Sequence, residues 1–110
     1  MTTLPAPGAL QQAIRTLAHG GTLDEATCAA AFDVVMAGDA SPAQVAALLM
    51  GLRVKGETAA EVAGAARALR RAMTVLDADD PDALVDTCGT GGGALTTFNI
   101  STAAALVAAG

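Results

Sequence analysis

The residues best suited to chemistry lie in Asp86-Thr87-Cys88-Gly89-Thr90-Gly91-Gly92-Gly93, followed after four residues by Phe98-Asn99-Ile100-Ser101-Thr102. Glycines at 89, 91, 92 and 93 remove side-chain bulk, so the backbone can approach a ligand closely and adopt φ > 0. Asn99 and Ser101 are helix-capping types, and the first turn of a helix offers unpaired N–H groups at the positive end of its dipole. The hydroxyls of Thr97, Ser101 and Thr102 can donate to phosphate oxygens or enter a magnesium shell. Together these residues suit a phosphate or pyrophosphate group. No Lys or Arg lies in the loop, so the ligand's charge must be met by N–H groups, the helix dipole and a metal arriving with the ligand.

Rival motifs fit less well. Gly92-Gly93 runs into Ala94-Leu95 and lacks the Lys-Ser/Thr ending of a P-loop. Gly89-x-Gly91-x-x-Ala94 satisfies a loose dinucleotide fingerprint, but its acidic ribose partner would fall at or beyond Gly110. A plain flexible loop is the bland alternative. No nucleophile–base pair is evident, and no catalytic residue is assigned. His19 falls near the end of the first helix, where a histidine complements the dipole at the surface. Cys88 reads as a small buried hydrophobe at a strand end. The acidic run Asp77-Ala78-Asp79-Asp80-Pro81-Asp82 lacks the spacing of a calcium loop and reads as a linker.

The elements that must position the loop are signalled locally. Leu10, Ile14 and Leu17 predict a short amphipathic helix ending near His19-Gly20-Gly21. Thr22 with Glu25, Ser41 with Gln44, and Thr58 with Glu61 predict three further helix starts as capping boxes. Pro42 fits the first turn of the third helix, and Gly38 and Gly56 fit left-handed positions after the second and third. Val45, Leu48, Leu49 and Leu52 form the predicted core face of the third helix. Val62, Ala65, Ala66, Leu69 and Met73 form that of the fourth, with Arg67, Arg70 and Arg71 on a solvated side. Ala83-Leu84-Val85 predicts a strand entering the glycine loop, and Ala103 to Ala109 continue as a helix. The predicted organisation is a helical domain over 1–75, with a frayed arm over 1–8, and the beginning of an α/β unit over 76–110.

Composition narrows the function classes. Alanine supplies 28 of the 110 residues, so the 53% apolar content means close-packed helices rather than a bulky core. A net charge of −5 with two Phe and no Tyr or Trp leaves neither a basic footprint nor stacking aromatics for nucleic acid. Cys28 and Cys88 have no metal-ligand spacing and read as reduced thiols of a cytoplasmic protein. No apolar run approaches the ~20 residues of a membrane span, and no basic residue precedes an apolar run at the N-terminus.

Asp86 to Gly92 together with Phe98 to Thr102 resembles the phosphoribosyl-diphosphate loop of the anthranilate phosphoribosyltransferases. The stretch Ser41-Pro42-Ala43-Gln44-Val45-Ala46-Ala47-Leu48-Leu49-Met50-Gly51-Leu52-Arg53-Val54-Lys55-Gly56-Glu57-Thr58 is similar to the helical domain that they share with pyrimidine nucleoside phosphorylases. Thr87-Cys88-Gly89 before Thr90-Gly91-Gly92, in place of the phosphorylases' Lys-His-Ser, favours the transferase. Gly93 departs from the family, which often has Asp there.

The resemblance implies an α + α/β fold of about four helices, then the first strand, glycine loop and helix start of an α/β domain. It implies attack of the anthranilate amine on the anomeric carbon of phosphoribosyl diphosphate, releasing pyrophosphate in tryptophan synthesis. Gly89, Gly92, Gly93, Thr97, Asn99, Ile100, Ser101 and Thr102 would bind the sugar diphosphate, Gly89 would border anthranilate, and Ser101 would touch Mg2+. It also implies a homodimer through the helical domain. The family's downstream Lys-His-Gly-Asn segment, anthranilate-binding Arg and Asp-Glu metal pair are absent, so the chain reads as an N-terminal fragment, inactive alone. The alternatives are a helical dimerisation module with a vestigial phosphate loop, and a fragment of pyrimidine nucleoside phosphorylase type.

Overall fold

The computed structural model describes residues 8–89 and 99–110. The chain forms two compact units, Met1–Thr74 and Val75–Gly110. The first contains α1 (Ala9–Ala18), α2 (Glu25–Met36), α3 (Pro42–Lys55) and α4 (Ala59–Ala72). The second contains a 3-10 turn at Pro81–Ala83 and α5 (Ile100–Ala109). The predicted frayed arm lies outside the described residues except for Gly8, which takes the N-cap position of α1 without a side-chain bond.

Capping chemistry sets where α3 and α4 begin. The Ser41 hydroxyl accepts the Gln44 N–H at 3.3 Å while the Gln44 side chain accepts the Ser41 N–H at 2.9 Å. Thr58 and Glu61 repeat the exchange at the start of α4, at 3.3 and 2.8 Å. Pro42 occupies the first turn of α3, where it displaces no hydrogen bond. Gly38 and Gly56 end the preceding helices with φ of +82° and +88°, a region costly for a side chain bearing Cβ.

The start of α2 differs from the expectation. Its cap is Asp24, whose carboxylate accepts the Thr27 N–H at 2.7 Å, and not Thr22. That backbone bond holds the Asp24 carboxyl below its ordinary pKa. The cause of the displacement is Leu23: its side chain is buried in the core and its N–H donates to Glu61 at 2.9 Å. Residues 22–24 therefore stay outside the helix, and the local Thr22–Glu25 pattern loses to a long-range contact.

The core of the first unit is small. Leu10, Ala13 and Leu17 of α1 meet Cys28 and Ala31 of α2, Leu48 and Leu52 of α3, and Leu23, with Ile14 and Phe32 packed at the edge. Helix α4 corrects the second expectation. Val62, Leu69 and Met73 are exposed, and the face turned inward is Glu61, Gly64 and Ala68. Close approach of two helices favours small residues over large apolar ones at the contact line. A Cβ at Gly64 would lie 2.9 Å from the Cys28 Cβ and 3.0 Å from the Ala29 nitrogen, and would press on the Glu25 carbonyl. On the solvent side, Arg67 pairs with Glu25 at 2.6 Å and Arg71 with Asp33 at 2.8 Å, so two arginines predicted to be merely solvated also tie α4 to α2. Exposed pairs of this kind contribute little.

Glu61 is 1% exposed and every polar contact around it is a donor. One oxygen accepts the Leu23 N–H; the other accepts Lys55 Nζ at 2.8 Å, the Thr58 N–H at 2.8 Å and the Thr58 hydroxyl at 3.0 Å. Burial alone would raise its pKa, but the Leu23, Lys55 and Thr58 donors outweigh it and hold the carboxyl at about 2. The Cys28 thiol donates to the Glu61 carbonyl at 3.2 Å, and burial, reinforced by the Glu61 charge, raises its pKa.

In the second unit the predicted strand is not formed among the described residues. Pro81 sets φ for a 3-10 turn, capped by Asp80 accepting the Asp82 N–H, and Leu84 beyond it is extended with ψ 136° but pairs with no other strand. A strand needs a partner to satisfy its backbone, and none is present there. Among the described residues no helix is long and apolar enough to cross a membrane.

Two consequences are measurable. Gly64→Ala should destabilise the first unit by about 1–3 kcal/mol despite alanine's better helix propensity, because rigid backbone lines the gap; chemical denaturation reads this out. Glu61, depressed in the folded state, stabilises fully above its ordinary pKa of 4.5 and loses that contribution as pH falls towards about 2. Its shift amounts to roughly 3 kcal/mol at neutral pH. Glu61→Gln should therefore be less stable at pH 7 and should flatten the stability–pH slope between those two values in acid titrations followed by circular dichroism.

Candidate functional site

The second unit supplies the residues whose types suit anion chemistry. Asn99 caps α5: its side-chain oxygen accepts the Thr102 N–H at 3.1 Å, and its carbonyl accepts the Ala103 N–H at 3.2 Å. This cap uses one of the donors that an anion would otherwise take. Among the described residues the Ile100 and Ser101 N–H groups keep no acceptor, so the free positive end of the dipole narrows to these two. Ser101 is half-buried, whereas Asn99, Ile100 and Thr102 are exposed.

The segment before the loop is turned by Asp86, whose Oδ1 accepts the Cys88 N–H at 2.8 Å. Asp86, Thr87 and Cys88 share a shallow cleft with Ser101, Thr102 and Ala105. A second cleft brings Ala83, Leu84, Val85 and Thr87 to Ala105, Ala108 and Ala109, so the alanine face of α5 receives this segment. Gly89 lies beside Ser101, and a Cβ built on it would stand 3.5 Å from the Ser101 hydroxyl oxygen, an ordinary van der Waals distance. The φ of Gly89 is not in the left-handed region, and among the described residues nothing crowds that position, so neither calls for glycine there.

Of the residues predicted to bind the sugar diphosphate, Gly89, Asn99, Ile100, Ser101 and Thr102 come to one end of α5. Gly92, Gly93 and Thr97 lie outside the described residues, as does Gly91. Cys88 is exposed rather than buried, because no neighbouring element among the described residues of its unit covers it. Both cysteines are free. His19 is the exposed C-cap of α1, in the other unit. No group of three potential metal-ligating side chains forms among the described residues, and Ser101 offers a single hydroxyl to a cation. Asp86 closes this turn although its residue type alone assigns it no role in the loop; an Asp two residues before the N–H that it accepts, at the edge of a glycine run, is the signal of such a turn.

Residues 11–73 match the helical bundle domain of the glycosyl transferase family, and residues 81–110 match that family's a/b domain. The chain belongs to the glycosyl transferase family. Helices α1 to α4 fall almost wholly within the first match, and Asp86, Gly89 and Ser101 within the second. The chain is similar to a protein of Symbiobacterium thermophilum named anthranilate phosphoribosyltransferase, at 54% identity over 88% of this chain and 28% of the relative. Similar matches are those of Azospirillum brasilense, 50% identical over 84% of this chain and 26% of the relative, and Moorella thermoacetica, 50% over 92% and 30%, both with the same name. The chain thus spans less than a third of the length of these relatives. No solved structure matches.

Because among the described residues a methyl at Gly89 meets only the Ser101 oxygen at contact distance, Gly89→Ala should leave stability within about 0.5 kcal/mol. Placed beside the Ser101 hydroxyl, the same methyl should weaken pyrophosphate binding about tenfold in calorimetric titration, a loss near 1.4 kcal/mol.

Proposed function

We propose that this protein serves the transfer of a phosphoribosyl group from phosphoribosyl diphosphate to anthranilate, with release of pyrophosphate, in tryptophan biosynthesis in the cytoplasm. The observation that carries this reading is the placement of Gly89 against Ser101 at the Asn99-capped end of α5, where two N–H groups keep no acceptor among the described residues. The relatives' shared name supports the substrates. The sugar diphosphate would lie along Gly89, Gly92, Gly93, Thr97 and Asn99 to Thr102, with anthranilate bordering Gly89. Such a reaction needs stabilisation of the departing pyrophosphate and alignment of the amine, and no covalent enzyme intermediate.

Charge argues for Mg2+. Residues 75–110 contain Asp77, Asp79, Asp80, Asp82 and Asp86 and no Lys, Arg or His. A diphosphate approaching this unit meets like charge, offset only by backbone N–H groups and the helix dipole. The donor set fits a cation that the diphosphate carries in: Ser101 would contribute one oxygen, and the ion would neutralise the leaving group. Magnesium commonly binds in this way, through few protein oxygens and several from phosphate.

Association as a homodimer through the helical unit is part of the proposal. Leu49, Val62 and Leu69 are each about half exposed around a groove of about 300 Å3 that Phe32 and Leu52 also line. Apolar surface concentrated in this way favours a covered face.

Calorimetric titration of phosphoribosyl diphosphate into the protein tests the reading. Saturable binding that strengthens at least tenfold with Mg2+ is expected, with no phosphoribosyl anthranilate formed by the 110-residue chain alone. Binding that ignores Mg2+, or no binding, would overturn it, and a monomer by sedimentation at high micromolar concentration would remove the dimer.

A further inference from the structure

Asp86 is the one carboxylate of the second unit set against the candidate site, and its position is paradoxical for a residue beside an anion. It lines the cleft that contains Ser101 and Thr102, so its charge opposes the ligand assigned to that end of α5. Its contact explains what it does there. The Oδ1 atom accepts the Cys88 N–H at 2.8 Å, closing a turn over Asp86-Thr87-Cys88 immediately before Gly89. Among the described residues no other side chain bonds the backbone of residues 87–89. The next residue, Gly89, then lies beside Ser101: a Cβ built on it would stand 3.5 Å from the Ser101 hydroxyl oxygen.

We propose that Asp86 is a positioning residue: by pinning the Cys88 N–H it holds the Gly89 backbone against Ser101 and so fixes one wall of the phosphate site. The inference rests on the phosphoribosyl-diphosphate reading for its ligand, but the placement it explains is independent of any ligand. Loss of the acceptor hands the Cys88 N–H to water and frees Gly89 to leave Ser101. An amide oxygen at the same position can still accept, since Asn closes the same turn. The role therefore belongs to the acceptor atom and not to the charge.

The experiment compares the 110-residue wild type with Asp86→Asn and Asp86→Ala by two readouts. In nuclear magnetic resonance, a nuclear Overhauser contact between Gly89 Hα and Ser101 is expected in wild type and Asp86→Asn and lost in Asp86→Ala. In titration with phosphoribosyl diphosphate and Mg2+, Asp86→Ala should bind about tenfold more weakly, the scale of one hydrogen bond, and Asp86→Asn within threefold of wild type. Persistence of the Gly89–Ser101 contact in Asp86→Ala overturns the proposal, whatever the ligand result. Equal weakening by Asn and Ala also overturns it, because the charge and not the acceptor would then be in use. If wild type fails to bind, the proposed function falls, and the resonance comparison still decides the role of Asp86.

Discussion

The helical unit depends on one buried carboxylate. Glu61 sits on the first turn of α4, yet its oxygens receive donors from the segment before α2, from the end of α3 and from the turn that starts α4. Four donors converge on a group that burial would otherwise neutralise, and they win: the carboxyl stays ionised far into acid. The consequence is geometric. Leu23 can enter the core only with its N–H satisfied, Lys55 can be largely buried at the end of α3 only with its charge paired, and both conditions are met at one atom pair. Replacing such a cluster piecemeal leaves an unpaired buried group, whose cost exceeds the net value of the pair itself.

The same cluster explains why α4 packs as it does. With Glu61 drawn inward, the residues three and seven positions on, Gly64 and Ala68, must face α2, and the larger Val62 and Leu69 are carried outward. Small residues at that line let the backbones approach until Gly64 touches Cys28 and the chain around Ala29. The core therefore gains little from large apolar side chains on α4 and more from close helix contact. This suits a chain rich in alanine, whose side chains bury little area individually but permit many short interhelical contacts.

Legibility in the sequence followed the range of the interactions. The starts of α3 and α4 were readable because a capping box is complete within four residues, and Ser41 with Gln44 and Thr58 with Glu61 carry both halves of it. The start of α2 was misread because the deciding contact, Leu23 with Glu61, spans 38 residues and overrides a local pattern that is equally good on paper. The inward face of α4 was misread because hydropathy ranks Val62 and Leu69 above Gly64 and Glu61, whereas close helix packing ranks them by size. At the candidate site the glycines and the Asn99 cap were readable as types. Their meeting was not, since nothing local says that Gly89 returns to Ser101, nor that the Asn99 side chain consumes the Thr102 N–H.

Charge separates the two units in a way that bears on the site. Every Lys and Arg of the chain lies in the first 71 residues, and the second unit has five carboxylates with no cation. Across the candidate site, among the described residues, the favourable partners for an anion are dipoles: the Ile100 and Ser101 N–H groups, the first turn of α5 and the Ser101 hydroxyl. Dipoles act over short distances and are fixed in direction, whereas carboxylate repulsion extends to about 8–10 Å at physiological salt. An anion would therefore be repelled on approach and held only on arrival, a balance that a divalent cation travelling with the anion reverses. Such a site would discriminate by geometry rather than by net charge, because free phosphate without its metal would meet the repulsion with little to offset it. The position of the Gly89 backbone would then matter, since the interaction of an anion with a dipole falls off more steeply with distance than its interaction with a full charge.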